Sequence, residues 1–160
     1  MRCGIATWVS EVMSEAADFI YERQELVRFG HCDPAGIVFF PRYHEMLNAL
    51  VEDWITEGLG VDYAQLLGQR RVGLPTVELT SEFKAISRMG DWLSQRLRIL
   101  RLGRSSLQLE IRFVGRDDSQ LRARFEQVIV CTSLETHRAQ AFPPDLRAAL
   151  EARAPGAVQP

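Results

Sequence analysis

An α+β fold is predicted, an antiparallel β-sheet covering one long helix within a single domain. Two features carry that expectation. Tyr43, Met46, Leu47, Leu50, Val51, Trp54 and Ile55 recur at the spacing of a helix with one buried stripe. Downstream the texture changes to alternation, with Val77, Leu79 and Phe83, then Leu97 and Ile99, then Leu107, Leu109, Ile111 and Phe113, as in strands that turn one face to a core. An antiparallel sheet must cover that apolar face, and the long helix is the element large enough to do it. At 160 residues, 46% hydrophobic and 25% charged, the chain suits one globular domain rather than a disordered segment.

Taken in order, residues 1–21 read as an extension, with Val9, Val12, Met13, Ala16, Ala17 and Ile20 at the spacing of an amphipathic helix over residues 10–21. Residues 23–29, RQELVRF, carry a weak strand pattern that stops at the turn residues Gly30, Asp33, Pro34 and Gly36. The long helix is expected over residues 41–57, because Pro41 suits a first turn, where its missing N–H has no intrahelical partner, and Gly58 and Gly60 end the pattern. A short helix over residues 62–67 precedes three strands. A fourth strand, residues 121–132, places Leu121, Ala123 and Phe125 on one face, but its apolar parity shifts across Gln127, which predicts a bulge or burial of both faces. The connectors MGD, LGR and GRDDSQ are short and turn-like, so neighbouring strands are expected to be hairpin partners. Pro143 and Pro144 introduce a last helix ending near Arg153, and residues 154–160 are a tail.

A net charge of -2 gives no overall attraction to nucleic acid or to an anionic membrane surface. No apolar run reaches the length needed to cross a bilayer. The three cysteines, Cys3, Cys32 and Cys131, match no zinc spacing and leave an odd thiol if two pair, which fits reduced thiols in a cytosol. No metal site and no resident cofactor are expected.

The loop before the long helix is where chemistry is expected. The first turn of a helix offers unpaired N–H groups and the positive end of its dipole, so the amides near Phe39, Phe40 and Pro41 are natural donors to a developing oxyanion, Pro41 itself having none to give. Gly36 permits a tight backbone turn, and Asp33 places a carboxylate shortly before those donors. From composition alone Asp33 reads first as an Asx-turn or helix-capping residue, and as a nucleophile or general base second.

Resemblance changes that order. The run GHCDPAGIVFFPRYHEM, with Asp33-Pro34-Ala35-Gly36-Ile37-Val38, an aromatic pair, Pro41 and Tyr43-His44 in unbroken register, resembles the active-site segment of the 4-hydroxybenzoyl-CoA thioesterase family, a branch of the hotdog-fold thioesterases. The resemblance extends over roughly residues 23–150. It implies a hotdog domain over residues 22–153, hydrolysis of an acyl-CoA thioester, CoA entering as part of the substrate, Asp33 as catalytic carboxylate and the Phe40 N–H as the amide that polarises the thioester. It also implies homodimers or homotetramers with active sites at the subunit interface. Where 4-hydroxybenzoyl-CoA enzymes carry a helix acid that contacts the ring hydroxyl, Asn48 stands in this chain, and Phe39 and Phe40 replace more polar aromatics, which leaves the acyl group open.

Other residues compete for roles. His31, Cys32 and Asp33 are consecutive and in extended chain point in opposing directions, so they make no relay; Cys32 reads as a small buried thiol. His44 lies on the helix away from the apolar stripe, where it can touch substrate, a partner subunit or only solvent. Glu45 and Glu52 are alternative helix carboxylates and otherwise solvated. Arg98, Arg101 and Arg104, with Ser105, are placed around a hairpin turn where guanidinium groups can hold CoA phosphates, Arg101 and Arg104 flanking Gly103; Arg122 and Arg124 form a weaker exterior pair. Two further readings remain open: a hotdog-fold enoyl-CoA hydratase or dehydratase using His44 with Asp33, and a non-catalytic acyl-CoA-binding domain.

Overall fold

The computed structural model describes residues 18–155. The expected N-terminal helix falls almost entirely outside them, and Tyr21 opens a strand instead of closing that helix. The elements are β1 (Tyr21–Leu26), α1 (Phe40–Asp53, continued by one π-turn, Trp54–Gly58), α2 (Tyr63–Gly68), β2 (Val72–Gly73), β3 (Thr76–Phe83), β4 (Trp92–Leu102), β5 (Ser106–Gly115), β6 (Leu121–Val130), β7 (Thr132–Ser133) and α3 (Pro144–Glu151). β1 starts earlier than expected because Tyr21 and Glu22 pair with Leu97 and Arg96 of β4, and ends earlier because Phe29–His31 form a 3-10 turn. Asp62 caps α2, its carboxylate accepting from the Gln65 N–H.

Five strands form one antiparallel sheet in the order β1-β4-β5-β6-β3, while β2 and β7 make a separate two-stranded ladder. Alternation along β4, β5 and β6 turns Leu93, Leu97, Leu109, Ile111, Phe113, Ala123, Phe125 and Ile129 onto Tyr43, Met46, Leu47, Leu50, Val51 and Trp54 of α1, all buried. The sheet thus wraps the long helix, as the sequence predicts.

Two expectations of register fail. The parity of β6 does not shift: Phe125, Gln127 and Ile129 all face the core, and Gln127, 1% exposed, donates to the Thr76 hydroxyl. The irregularity lies across from it, on β3 between Thr76 and Glu78. Nor are β3 and β4 hairpin partners. β3 pairs with β6, Ser81 opposite Phe125, so residues 84–91 cross the end of the sheet to reach β4. The MGD turn does close locally, the Asp91 N–H donating to the Arg88 carbonyl, with Gly90 at φ +93, a conformation that suits glycine. It closes at the end of a crossing rather than between paired strands.

The other face of the sheet holds charge. Glu110, 1% exposed, accepts from Arg98, Arg112 and Arg124, and Arg98 and Arg112 both lie 5.3 Å from the centre of the Phe19 ring. Arg98 is therefore a mid-strand ion-pair residue and not part of a hairpin turn. Arg124 is on the exterior as expected and bonds Glu110 and Glu126. Arg122, expected beside it, is buried, 7% exposed, because the β5–β6 register shifts between Ala123 and Leu121, and it bonds Asp118 and Gln120.

Candidate active site

β1 delivers the chain to the open end of the sheet, where the loop over residues 32–39 turns it into α1. Cys32 and Val38 face each other in an isolated β-bridge, the Asp33 N–H donates to the Ile37 carbonyl, and the Gly36 N–H donates back to the Asp33 carbonyl. Gly36 sits at φ +76, left-handed backbone that a side chain strains. Within this turn one Asp33 carboxylate oxygen, Oδ1, accepts from the Ala35 N–H at 2.8 Å. The Asx-turn is present. The second oxygen, Oδ2, has no hydrogen-bond partner among the described residues, and Asp33 with Cys32, Gly36, Phe29, Arg88 and Met89 lines a cavity of about 590 Å³.

The helix start adds the donor. Phe39 is extended, at φ -68 and ψ 124, and α1 begins at Phe40 with Pro41 next. Of the three amides expected as donors, that of Phe39 is spent on the His31 carbonyl at 2.9 Å and Pro41 has none. The Phe40 N–H has no hydrogen-bond acceptor among the described residues, as the first turn of a helix dictates. An unpaired N–H at a helix start, shortly after a half-free carboxylate, can hold an anionic oxygen while the carboxylate attacks or deprotonates.

Aromatic surface surrounds this point. Phe40 is 57% exposed, Phe39 and Phe83 are 45% exposed, and the rings of Phe39 and Phe83 lie 5.5 and 6.4 Å from that of Phe40. His44, expected to face away from the apolar stripe, is packed against the sheet. Its ring lies within 6.2 Å of Phe40, Phe83 and Phe125, and its Nε2 is 3.0 Å from the Ser81 hydroxyl. The reason is the curl of the sheet: edge strand β3 wraps far enough round α1 to cover a flank that a flat sheet would leave in water. Asn48, one turn on, is exposed.

The remaining predicted residues are not gathered here. Cys32 is half-buried, not buried, and sits on the cavity wall. The His31 Nδ1 accepts from the Arg28 N–H, which occupies it in the 3-10 turn. Glu45 is exposed and pairs with Arg42 at 2.7 Å, and Glu52 is exposed. Arg101, Arg104 and Ser105 flank the β4–β5 turn at the opposite end of the sheet, β4 separating them from the Asp33 loop by about 30 Å of strand. The Arg101 and Arg104 guanidiniums make no ion pair among the described residues.

Residues the sequence did not single out complete the wall. Ser87 is buried, its carbonyl accepts from the Val38 N–H and its hydroxyl from the Tyr43 phenol at 2.9 Å. Burial pushes the Tyr43 phenol up, against the Ser87 bond that lowers it. Ser87, Arg88 and Met89 ride on the β3–β4 crossing, whose position depends on a strand pairing with no local signal. Among the described residues no cluster of His, Cys, Asp or Glu has the makings of a metal site, and no helix is long and apolar enough to cross a membrane.

The chain is similar in sequence and fold to known proteins. A 4-hydroxybenzoyl-CoA thioesterase from Pseudomonas sp. (strain CBS-3) is 35% identical over 72 residues, 44% of this chain and only about half of that enzyme, 51%. A 1,4-dihydroxy-2-naphthoyl-CoA hydrolase from Synechococcus elongatus is 26% identical over 79% of this chain and 92% of its own length. Among solved structures, a gentisyl-coenzyme A thioesterase superposes with a TM-score of 0.73 at 28% identity, over 81% of this chain and 99% of that one. The model of the thioesterase-like superfamily matches residues 27–150, from the end of β1 through the Asp33 loop, α1 and the sheet to α3; the chain belongs to that superfamily.

Proposed function

We propose that this chain hydrolyses acyl-CoA thioesters to the free acid and CoA, and that the acyl groups it takes are aromatic. The single observation that carries the reading is the pairing of an unshared Asp33 carboxylate oxygen with the unpaired Phe40 N–H at the start of α1. The relatives named above act, by name, on 4-hydroxybenzoyl, dihydroxynaphthoyl and gentisyl thioesters, and the exposed rings of Phe39, Phe40 and Phe83 supply surface on which a planar acyl group can stack.

In this mechanism the Phe40 N–H holds the thioester oxygen as it gains charge. Asp33 either attacks the carbonyl carbon, giving a mixed anhydride that water opens, or takes a proton from the attacking water. In both routes a C–O bond forms, the C–S bond breaks, and the CoA sulfur leaves with a proton as free thiol. Gly36 keeps the approach open, and Phe39, His44 and Asn48 border the acyl end. The reaction as written uses no cofactor beyond the CoA of the substrate.

A second copy of the chain belongs to the proposal. β3 is an edge strand and leaves Val77 61% exposed and Leu79 37% exposed, the kind of edge that pairs with another strand. A homodimer built there, or a homotetramer of such dimers, sets the Phe83 end of that edge, and hence the site, at the interface. It also offers a route by which Arg101, Arg104 and Ser105 of the partner subunit reach the CoA at a given Asp33. The free thiols of Cys32 and Cys131 suit a reducing cytoplasm.

A hydratase or dehydratase needs an acid opposite the base, and His44, its Nε2 on Ser81, is already committed within the aromatic cluster. A thiol-release assay over aromatic and aliphatic acyl-CoAs tests the proposal. Release from aromatic esters is expected; hydration of enoyl-CoA without thiol release points to the hydratase, and tight CoA-ester binding without any turnover to a binding domain. Single-turnover hydrolysis in heavy-oxygen water then separates the two routes, since only the anhydride can leave label in the Asp33 carboxylate.

A further inference from the structure

We infer that Arg88 is a phosphate tether for the CoA portion of the substrate, acting from the same chain as Asp33; the inference rests on the proposed CoA-thioester chemistry. Its backbone is fixed and its tip is free. On one side the buried Ser87 is bonded to Val38 and Tyr43. On the other, the Gly90 N–H donates to the Val27 carbonyl, and the Val27 N–H donates to that of Asp91. The Arg88 N–H itself donates to the Asp91 carboxylate at 2.8 Å. This four-point attachment pins the Arg88 main chain beside the Asp33 loop, yet its guanidinium makes no ion pair among the described residues.

Arg23, Arg42, Arg70, Arg96, Arg98, Arg122 and Arg124 are salt-bridged, whereas Arg88, like Arg101 and Arg104, has no ion pair among the described residues, and of these three it alone lies beside the Asp33 loop. Arg88 lines the cavity that holds Asp33. Phe29, 84% exposed, and Met89, 61% exposed, line the same cavity and give the intervening arm of the substrate an apolar wall. A guanidinium held at the rim and forked toward solvent matches a phosphate group, which it can bind through two N–H donors. Arg101 and Arg104, at the far end of the sheet, cannot do this for the Asp33 of their own chain.

The test compares wild type with Arg88→Gln, for CoA binding by calorimetry and for turnover of one acyl group presented on CoA and on pantetheine, which has no phosphate. Arg88→Gln is expected to weaken CoA binding and raise KM for the CoA ester by about tenfold, with kcat held and the pantetheine ester unaffected. Arg88→Lys should recover most of the loss and an unchanged melting temperature should show both variants folded. Equal CoA affinity in wild type and Arg88→Gln overturns the tether, as does an equal loss on both esters or a wild-type chain that does not bind CoA. If CoA binds through Arg88 while no acyl-CoA releases thiol, the hydrolase reading falls and the tether stands.

Discussion

Two polar clusters in this chain face opposite fates. On the outer face of the sheet Glu110 is almost wholly buried, and every one of its acceptor positions is met by Arg98, Arg112 or Arg124. At the start of α1 the order is reversed: Asp33 shares one oxygen and keeps the other, the Phe40 N–H has no acceptor, and three phenylalanine rings stand in solvent beside them. Polar groups left for water to satisfy beside exposed apolar surface are the combination that a ligand with both polar and apolar parts can cover. On the proposed function the closed cluster serves folding and the open one the reaction, and substitutions in the two should then separate cleanly.

The largest effect is expected at Asp33. Asparagine keeps an amide oxygen that can accept from the Ala35 N–H, so Asp33→Asn preserves the Asx-turn while removing the carboxylate. Its kcat should fall by about a thousandfold or more with the melting temperature unchanged; near wild-type turnover would return Asp33 to the role of a turn residue. Glu110→Ala should do the opposite. Stripping the carboxylate from three arginines that remain partly solvated should cost about 3 kcal/mol of stability, read by denaturant unfolding, with turnover per folded molecule preserved.

The same cluster predicts an acid limit. Burial raises the Glu110 pKa, but the hydrogen bonds from Arg98, Arg112 and Arg124 outweigh it and the net shift is downward. A depressed folded pKa stabilises the fold above the ordinary glutamate range, and that contribution is lost as pH falls through the folded value. Glu110→Gln should therefore flatten the acid limb of a stability-against-pH curve, and an unchanged limb would show that other carboxylates set it.

Third in size is the helix amide, which no side-chain truncation can reach. Phe40→Pro removes the N–H at a first-turn position where proline is tolerated, and the preceding Phe39 already has the extended backbone that a following proline requires. Phe40→Ala loses the same ring but keeps the N–H. Proline should be slower than alanine by about a hundredfold in kcat, and equal rates would move the oxyanion donor elsewhere.

Legibility in the sequence followed the range of the interactions. The α1 stripe and the alternation of β4 and β5 could be read because each is periodic along the chain. Gln127 was misread because a buried polar residue on a core face looks like a break in parity until Thr76 supplies its partner. The β3–β6 pairing left no local trace, since the MGD turn forms equally well in a hairpin or a crossing, and with it Ser87, Arg88 and Met89 were lost as site residues. Asp33 is intermediate. Its turn chemistry was readable from Pro34 and Gly36, but its proposed chemistry came from register with a family, and only the free Oδ2 and the unpaired Phe40 N–H give that register a physical basis.

The smallest expected effect lies at the border of the two kinds of cluster, where His44 is bonded to Ser81 yet packed among rings that are half open to water. If the pair is only structural, Ser81→Ala frees a ring nitrogen, lowers the melting temperature slightly and changes all acyl-CoAs alike. If it borders the acyl group, the loss should depend on the substrate: about threefold to tenfold in kcat/KM for hydroxylated aromatic esters, the size of one neutral hydrogen bond, and little for a straight-chain ester that never reaches it. His44→Gln, which can still donate to the Ser81 oxygen, should recover part of that difference. A substrate-independent loss in both variants would move this pair to the closed side of the comparison, leaving Asn48 as the residue on α1 to test next for recognition of the acyl ring.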